Sequence, residues 1–498
     1  MTCLLRKRFA GVKLTAGVFH KMSVCYFLGD DFIYGVRYNS DITTDIRFPV
    51  GPRYYSGCTV SYVGDTVSLI SPHRSQSALR KNLLSGSMFL LENDGKSSMF
   101  ARLRGTLFYD VVAEGNGKFV YKAKDTKFTP EQVFKAIIGE ISKAITGNIR
   151  LYNAFFIIPD YYDQSKRCAI SECLKSSFRN SNIHLVNYST AVGMRLYEDV
   201  NHDFYCLSIR FDSGPFEVSI LKVTAEGATP LASISNDNVT GSDLVTEIQN
   251  FLEREAQKMK LKTEYQLEPT PEKQAYGRAA YWRLLRNFAY DTNIEVDLDL
   301  DDRNSINPEP QTIVEAFNQL AGEMKLTIAN CCILAGVELA KISEAVVTGP
   351  FLDTISFEPL LREMGYTERV ATMRENDLCK KVVMRGRCIQ VLQSTFSVSL
   401  NKQSMMIMDR FTPYPVKKRS QLIVDVEKPE MAYTLLVYQN RIGDRNNRLI
   451  HDFTLNNVAV YQGKISLSIT LDVDDSGIAS LSVVEMSENT VLVNAIRL

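Results

Sequence analysis

The part of the sequence with the most chemistry in it is a short turn that carries two acids and a glycine. Asp212, Gly214 and Glu217 lie in the sequence FDSGPFEVS, between two apolar runs, Phe204 to Phe211 and Phe216 to Val223. Alternating runs on both sides of a cluster of Asp, Ser, Gly and Pro predict a β-hairpin. Glycines in such a turn let backbone amides converge on a phosphate group, and acids beside it can hold a metal ion. The hairpin is therefore the first candidate for a phosphate or metal site.

The same turn offers few donors to a phosphate group. Pro215 has no backbone N–H, and Gly214 is the single glycine of the turn. A second short turn, in the sequence FLGDD, holds Gly29 followed by Asp30 and Asp31. An ionised carboxylate cannot donate a hydrogen bond, and at about 4 Å from a phosphate charge it costs roughly 4 kcal/mol at an effective dielectric near 20. Two such acids would nearly cancel a micromolar affinity of about 8 kcal/mol, unless a magnesium ion bridged them or they were merely turn residues.

The composition excludes several classes of function. The chain has 498 residues, enough for two to four domains, and 45% of them are apolar, which permits a large core. Lys plus Arg number 57, as do Asp plus Glu, and a neutral chain argues against a global nucleic-acid or membrane-surface role. No apolar run approaches the roughly 18 residues of a membrane span. The ten cysteines include no CxxC pair and the five histidines are dispersed, which predicts no metal site and reduced, buried cysteines.

The elements that must position these turns form two similar halves and a separate β region. Hairpin openings recur near Val24 to Tyr38 and near Phe204 to Val223, and each is followed by strands and amphipathic helices. This repetition predicts a duplicated α/β architecture. From Ser394 onward the pattern is almost entirely that of strands, and Ile465 to Leu471 alternates strictly. This region predicts an all-β domain of about 100 residues.

Capping residues mark the beginnings of several helices. Thr129, Pro130 and Gln132 supply an N-cap, a first-turn proline and a capping-box glutamine. Asp163 is expected to cap the next helix, and Thr312 to begin a second capping box. These signals place the helices after the strands that carry the candidate turns.

Several segments resemble one known family in order and spacing. Residues 158–167, IPDYYDQSKR, resemble the family sequence VPAYFNDAQR, and residues 128–131, FTPE, resemble its ITPEE. Residues 471–478, LDVDDSGI, resemble its FDIDANGIL, and the hairpin FDSGPFEVS resembles its FDLGGGTFDVS, shortened by two residues. From Met22 to its end, the chain resembles the seventy-kilodalton heat-shock (DnaK-type) chaperone family.

The resemblance implies a two-domain plan. Residues 22–392 would form an α/β domain with the actin-like ATPase fold, made of two duplicated ribonuclease-H-like halves, and residues 393–498 an all-β sandwich of the substrate-binding type. Residues 1–21 would be an N-terminal extension or a presequence. The family's helical lid would follow the sandwich, and because the sequence stops at Leu498 we expect a lidless homologue. The linker at residues 390–394 is short, so the usual ATP-driven coupling of the two domains is not expected.

The resemblance also implies a degenerate nucleotide site. The family's first phosphate loop, DLGTT, is FLGDD here, so Phe27 replaces the aspartate that organises metal and water. Thr348 replaces a glycine of the adenosine motif, and Leu352 replaces its arginine. The residues at the matching positions of the site are Phe27, Gly29, Asp30, Asp31, Asp212, Gly214, Glu217, Gly241 and Gly349. Losses at every element that contacts ATP predict a pseudo-ATPase with no assigned catalytic residue. No cofactor is firmly expected, and ATP or ADP with Mg²⁺ would bind only if the site is still used.

In the sandwich, the resemblance implies a shallow apolar pocket that grips an extended peptide. The residues expected to line it are Leu400, Ser404, Met406, Tyr433 and Leu435. Tyr433 falls near a position where the family has a small β-branched residue. We therefore expect its ring to fill part of the pocket and to weaken peptide capture.

Together these features predict an atypical chaperone homologue that acts as a cochaperone or scaffold in protein folding, similar in plan to the atypical member of the ribosome-associated complex. The expected partners are a J-domain protein or another heat-shock ATPase and unfolded or nascent polypeptide, with the ribosome as a further candidate and neither nucleic acid nor membrane. The alternatives are a divergent ATP-dependent peptide-binding chaperone and a structural or assembly subunit of a lineage-specific complex. The expected location is the cytoplasm, or the mitochondrion if residues 1–21 are a presequence.

Overall fold

The structure is a computed structural model of the chain. It describes residues 22–29, 32–39, 42–46, 55–58, 60–63, 66–69, 83–84, 86–91, 110–114, 118–123, 126–143, 151–179, 181–197, 200, 202–212, 214–225, 227–241, 243–244, 296–297, 305–306, 310–349, 355–385, 390–410, 412–441 and 448–498. The predictions made for Asp30, Asp31, Leu352 and residues 1–21 lie outside the described residues.

The first half folds around a mixed sheet. The strands in chain order are β1 (Met22–Leu28), β2 (Phe32–Asn39), β3 (Ile42–Asp45), β4 (Tyr55–Gly57), β5 (Val60–Val63), β6 (Thr66–Leu69), β7 (Leu83–Leu84), β8 (Asp110–Ala113), β9 (Phe119–Ala123), β10 (Thr126–Phe128), β11 (Leu151–Ile158) and β12 (Asn182–Asn187). The helices are α1 (Ser87–Leu90), α2 (Pro130–Lys143), α3 (Gln164–Ser177) and α4 (Tyr188–Leu196). The main sheet has the order β12-β11-β1-β2-β3, with β4 also paired to β2, and β6-β5-β7 and β10-β9-β8 form two smaller sheets. Strands β1, β11 and β12 are parallel, whereas β1, β2 and β3 are antiparallel.

The second half repeats this plan. Its strands are β13 (Phe204–Arg210), β14 (Pro215–Thr224), β15 (Gly227–Thr240), β16 (Val296–Asp297), β17 (Ser305–Ile306), β18 (Ile342–Thr348) and β19 (Arg369–Thr372). Its helices are α5 (Pro310–Ala335), α6 (Glu358–Glu363) and α7 (Glu375–Arg385), with a 3₁₀ turn at Leu339–Lys341. The main sheet has the order β15-β14-β13-β18-β19, in which β13, β18 and β19 are parallel and β13, β14 and β15 antiparallel. Each half is therefore an antiparallel meander extended by two parallel strands, which agrees with the predicted duplication.

The last part of the chain is a β-sandwich. Its strands are β20 (Gln390–Val391), β21 (Ser394–Leu400), β22 (Gln403–Met408), β23 (Pro413–Tyr414), β24 (Val416–Asp425), β25 (Ala432–Arg441), β26 (Arg448–Asn456), β27 (Lys464–Val473), β28 (Ala479–Glu485) and β29 (Thr490–Arg497). Two antiparallel sheets, β22-β21-β25-β26 and β24-β27-β28-β29, enclose one apolar core, and β20 pairs with β23 beside them. The strict alternation noted at Ile465 to Leu471 lies in β27, whose inward residues fill that core.

The predicted caps account for two of the helix beginnings. The backbone N–H of Thr129 donates to Gln132 Oε1 at 2.8 Å, and the N–H of Gln132 donates back to Thr129 Oγ1 at 3.2 Å, a capping box at the start of α2. Asp163 caps α3, because its Oδ1 accepts the N–H of Lys166 at 2.9 Å. Helix α5 begins at Pro310, two residues before the predicted start at Thr312, since proline is well tolerated in a first helical turn.

Four apolar cores hold these layers together. One lies within each half and one within the sandwich, and the fourth joins the two halves. This fourth core includes Phe27 and Phe32 of the first sheet and Leu221 and Val223 of the second, and α4 and α7 pack against strands of these sheets. The candidate turns therefore lie at the junction of the two halves.

Three further observations concern only the residues that the structure describes. Among them no helix is long and apolar enough to cross a membrane. No group of three or more His, Cys, Asp or Glu side chains is placed to hold a metal ion in the part of the chain that the structure describes. None of the eight described cysteines is in a disulfide, and seven of them are buried.

Candidate functional site at the junction of the two halves

The centre of the junction is an arginine with no exposed surface. Arg210 is the last residue of β13 and its side chain is 0% exposed. Its guanidinium forms an ion pair with Asp212 through Nη2, and its Nη1 donates to Glu217 Oε2 at 3.1 Å. Arg210 and Glu217 are also opposite each other in the β13–β14 ladder, so the short hairpin itself sets this pairing.

The first half of the domain supplies a third buried acid to this cluster. Asp160 follows β11, and its backbone N–H donates to Glu217 Oε1 at 2.7 Å. Its side chain accepts the backbone N–H of Ser189 at 3.0 Å, and Ser219 Oγ lies 3.5 Å from its other oxygen. Burial raises the pKa of Asp160. Burial, and then the nearby Asp160 carboxyl, raise the pKa of Glu217 to about 8, although Arg210 opposes the shift. One guanidinium thus pairs with two buried carboxyl groups, and the third buried carboxyl, that of Asp160, lies next to Glu217.

The backbone of the hairpin turn is bonded within the chain. The N–H of Gly214 donates to Asp212 Oδ1 at 3.0 Å. The N–H of Gly241 donates to the carbonyl oxygens of Asp212 at 2.9 Å and Gly214 at 3.3 Å. The N–H of Phe211 donates to the Thr348 carbonyl oxygen at 3.0 Å. The described amides of Phe211, Gly214 and Gly241 are therefore already bonded to oxygens of the chain.

Gly349 is required by the close approach of two loops. Its φ of +150° is a conformation that side-chain-bearing residues rarely adopt, and a Cβ at this position would overlap the carbonyl oxygen of Phe211. The loop after β18 thus closes directly onto the turn after β13. This glycine serves packing between the two loops.

Phe27 takes part in the junction as an apolar side chain. It is buried, stacks on Phe32 with ring centroids 5.9 Å apart and meets the edge of Tyr188 at 6.5 Å. The Arg210 guanidinium lies 5.8 Å from the centre of the Phe27 ring, within the distance of a cation–π contact. The ring occupies the position at which the family resemblance would place a metal-organising carboxylate, next to the chain's own cation.

The structure thus brings together many of the residues singled out from the sequence. Phe27, Asp212 and Glu217 surround Arg210, and Gly214, Gly241 and Gly349 hold the adjoining loops. Gly29 lies in the neighbouring β1–β2 turn, where its N–H donates to the Phe32 carbonyl oxygen at 2.9 Å.

Sequence reasoning missed Arg210, Asp160 and Ser189. A signal existed for Arg210, because a hairpin with this turn places it opposite Glu217. None existed for Asp160, whose bond to Glu217 spans 57 positions.

A magnesium nucleotide does not fit these described groups. The two hairpin acids bind Arg210, and the nearby amides are bonded to oxygens of the chain. A buried ion pair that loses one partner is destabilised by about 3–5 kcal/mol. That penalty opposes any ligand that must separate Arg210 from Asp212 and Glu217.

A second polar junction connects the first half to the sandwich along the free edge of β12. Ser476 Oγ accepts the N–H of Leu185 at 3.3 Å and donates to the Ile183 carbonyl oxygen at 3.4 Å. Gln390 Oε1 accepts the N–H of Asn187 at 2.8 Å, and its Nε2 donates to the Leu185 carbonyl oxygen at 2.9 Å. The side chains of Ser476 and Gln390 therefore form hydrogen bonds with the edge of β12 in the way that a neighbouring strand would.

Helix α3 contributes charged groups to the same junction. Asp163, the cap of α3, forms an ion pair with Arg448 at the start of β26. Arg167 is buried, binds the side chain of Asn187, and approaches the Ser476 carbonyl oxygen at 3.4 Å. Gln390, at the start of β20, pairs with Tyr414 of β23 beside the sandwich.

The residues expected to bind peptide divide between core and surface. Leu400 and Leu435 are opposite each other in the β21–β25 ladder and are buried in the sandwich core. Ser404 and Met406 are exposed on β22, an edge strand. Tyr433 is buried, and its hydroxyl accepts the N–H of Glu430 at 2.8 Å. This bond holds the ring in place, and the peptide pocket itself stays a prediction.

Two comparisons with known proteins agree with this architecture. Residues 91–282 match the family model described as Hsp70 protein. The chain is similar to the chaperone protein dnaK of Cyanidium caldarium, with 20% identity over 400 residues, which are 74% of this chain and 63% of that relative. The chain thus spans less than two thirds of the curated relative that it matches. Both findings show that the chain is similar to Hsp70 proteins, and the mixed α/β, sheet-rich fold is consistent with an actin-like ATPase domain followed by a β-sandwich.

Proposed function

We propose that this protein is an atypical Hsp70-type chaperone homologue that does not hydrolyse ATP and acts as a cochaperone or scaffold in protein folding. The observation that carries the proposal is the pairing of Arg210 with Asp212 and Glu217 inside the hairpin that would cradle phosphate. A carboxyl group bonded to an internal guanidinium is no longer open to a metal ion, and the guanidinium, already bonded to Asp212 and Glu217, is not open to a phosphate. The protein would then act as a scaffold whose conformation does not change with nucleotide.

The proposed partners follow from the family. Hsp70-family members bind unfolded polypeptides and J-domain proteins generally. We propose the same two kinds of partner here, with another heat-shock ATPase supplying hydrolysis, and a role at the ribosome as one setting for nascent chains. The proposed location is the cytoplasm. Affinity purification of the full chain with mass spectrometry tests these partners, and recovery of one stable complex without chaperones would favour an assembly subunit instead.

Isothermal titration of the full chain with ATP and Mg²⁺ tests the loss of nucleotide binding. We expect no saturable heat up to about 1 mM ATP, because the groups that would bind phosphate are bonded within the chain. The dnaK of Cyanidium caldarium serves as the control for the same titration. A dissociation constant on the order of 10 μM would overturn the proposal and favour a divergent ATP-dependent chaperone.

Replacement of two acids by the threonines of the family tests whether one loop alone accounts for the loss. We expect D30T/D31T to show no ATP hydrolysis, because Phe27, Arg210 and the short second turn remain unchanged. The measurement is phosphate release over several hours at saturating Mg²⁺. Measurable turnover in the double variant, absent from the parent, would show that the second loop is still competent.

A further inference from the structure

We infer that Arg210 acts as a tethered cation that fixes the two halves of the actin-like domain in one arrangement, in the place where a bound ligand would otherwise join them. This inference rests on the proposed loss of nucleotide binding. It adds a role for the cluster of Arg210, Asp212, Glu217 and Asp160, which is to fix the relative position of the two halves. We call this role the lock.

The first argument is that the cluster is built from both halves. Arg210, Glu217 and Ser219 lie on the β13–β14 hairpin of the second half, whereas Asp160 and Ser189 belong to the first. The Asp160 N–H bond to Glu217, at 2.7 Å, and the Ser219 contact with Asp160, at 3.5 Å, both cross the junction. The guanidinium therefore holds Glu217 in the position that receives the first half.

The second argument is that neighbouring contacts cross at the same place. The Tyr188 hydroxyl, from α4 of the first half, donates to the Ile209 carbonyl oxygen at 3.2 Å and accepts from Ser208 Oγ at 3.3 Å. The Arg210 guanidinium lies over the ring of Phe27, a residue of β1. Apolar packing alone is non-directional, whereas these bonds specify one relative position of the two sheets.

The third argument is charge. Asp160, Asp212 and Glu217 are all buried, and Arg210 is the described cation paired with two of them. Removal of the guanidinium would leave buried carboxyl groups facing one another, which is strongly unfavourable. The pairing of these buried acids thus depends on Arg210, and the arrangement of the junction is expected to be the same with and without nucleotide.

Hydrogen exchange of the full chain, followed by mass spectrometry, tests this lock. The readouts are the amides of Asp160 and Ser189, whose acceptors are the side chains of Glu217 and Asp160. We expect R210M to raise exchange at these amides roughly tenfold or more, with little change in strands β27 and β28 of the sandwich. Unchanged protection at both amides in R210M would overturn the inference.

Two further variants keep the test decisive. R362M is the matched control, because Arg362 pairs with Glu358 on the surface of α6 in the same half and should leave the junction unchanged. R210K keeps the charge but loses the planar two-pronged contact, and we expect an intermediate rise at the two amides. If R210M does not fold, exchange at the two amides is measured in R210K instead. Full protection of both amides in R210K would overturn the inference.

Addition of ATP and Mg²⁺ to the exchange experiment separates this inference from the proposed function. We expect no change at either amide in the unaltered chain. Protection that appears only with ATP would overturn the lock. Micromolar binding in the titration, combined with amides that are already protected without ATP and loosened in R210M, would overturn the proposed function and leave the lock supported.

Discussion

The protonation states of the buried acids around Arg210 determine the strength of the hydrogen bonds and ion pairs at the junction of the two halves. Glu217 accepts one hydrogen bond from the guanidinium and one from the backbone of Asp160, while Asp212 also faces the guanidinium. The groups that face Glu217 thus come from its own hairpin and from the end of β11. At the residue scale, the sequence indicated that the two hairpin acids belong to a site. It did not indicate Arg210, because this is a single basic residue at the end of an apolar run.

The stability of the protein should depend on pH through the titration of Glu217. Its pKa in the folded protein is raised to about 8, chiefly by burial, above the ordinary value of about 4.3. A raised pKa contributes stability that is fully present below the unfolded value and is lost as the pH rises through the folded value. We expect the Tm of the chain to fall between about pH 5 and pH 8 more steeply than that of E217Q, because over this range Glu217 is protonated in the folded protein and ionised in the unfolded chain.

Differential scanning calorimetry of both proteins across this range makes the measurement. Other groups, such as cysteines exposed on unfolding, titrate in both proteins, so the difference between the two curves isolates Glu217. Parallel curves for the parent and E217Q would contradict this assignment.

At the scale of elements, the edge of β12 is satisfied by side chains. Gln390 is bonded to Leu185 and Asn187 of β12 and also to the Asp475 carbonyl oxygen at 3.0 Å and the Tyr414 hydroxyl at 3.0 Å. All four bonds of the buried amide connect separate elements. The capping signals correctly predicted α2 and α3, because caps are local, but no local pattern indicates that a strand edge will be covered by a residue two hundred positions away.

Replacement of Gln390 by glutamate should loosen this junction. In Q390E an oxygen replaces Nε2 and faces the carbonyl oxygens of Leu185 and Asp475, so we expect a loss of about 2–4 kcal/mol in the free energy of unfolding. The Q421E variant is the control, because Gln421 makes one exposed bond to Ser466 on the sandwich surface. Chemical denaturation of both variants measures the difference, and equal stabilities would contradict the role of Gln390.

At the scale of the whole molecule, the sandwich rests on the first half through groups that are far apart in the sequence. Asp163 links the cap of α3 to Arg448 of β26, and Cys168 Sγ approaches the carbonyl oxygen of Leu498 at 3.3 Å. Together with the β12 edge, these contacts make one continuous polar junction. The second junction lies next to the first, because Ser189, which binds Asp160, follows Asn187 by two residues.

Small-angle scattering should report the same docked shape with and without ATP and Mg²⁺. A compact chain of this length has a radius of gyration of about 23 Å, and we expect a value near this in both conditions. R448E places a second carboxylate beside Asp163, so we expect it, combined with Q390E, to increase the radius. K464E is the control, because Lys464 pairs with Asp425 on the surface. A radius that falls only on addition of ATP would show docking that depends on nucleotide.

The sequence by itself determined the elements of this protein. Alternation predicted the strands on both sides of FDSGPFEVS, now β13 and β14, and capping residues predicted the beginnings of α2 and α3. Repeated hairpin openings predicted the two halves, which share one strand order. These features are predictable because they depend on residues within a few positions of one another.

Only the tertiary structure decided what the acidic turn contacts. Asp212 and Glu217 read from the sequence as possible metal ligands, yet they bind Arg210, and Glu217 also binds the backbone of Asp160 from the other half. The edge of β12 is likewise completed by Ser476, whose contact with Leu185 spans 291 positions. Contacts of this kind depend on how separate sheets pack, and periodicity and spacing carry no information about packing between distant segments.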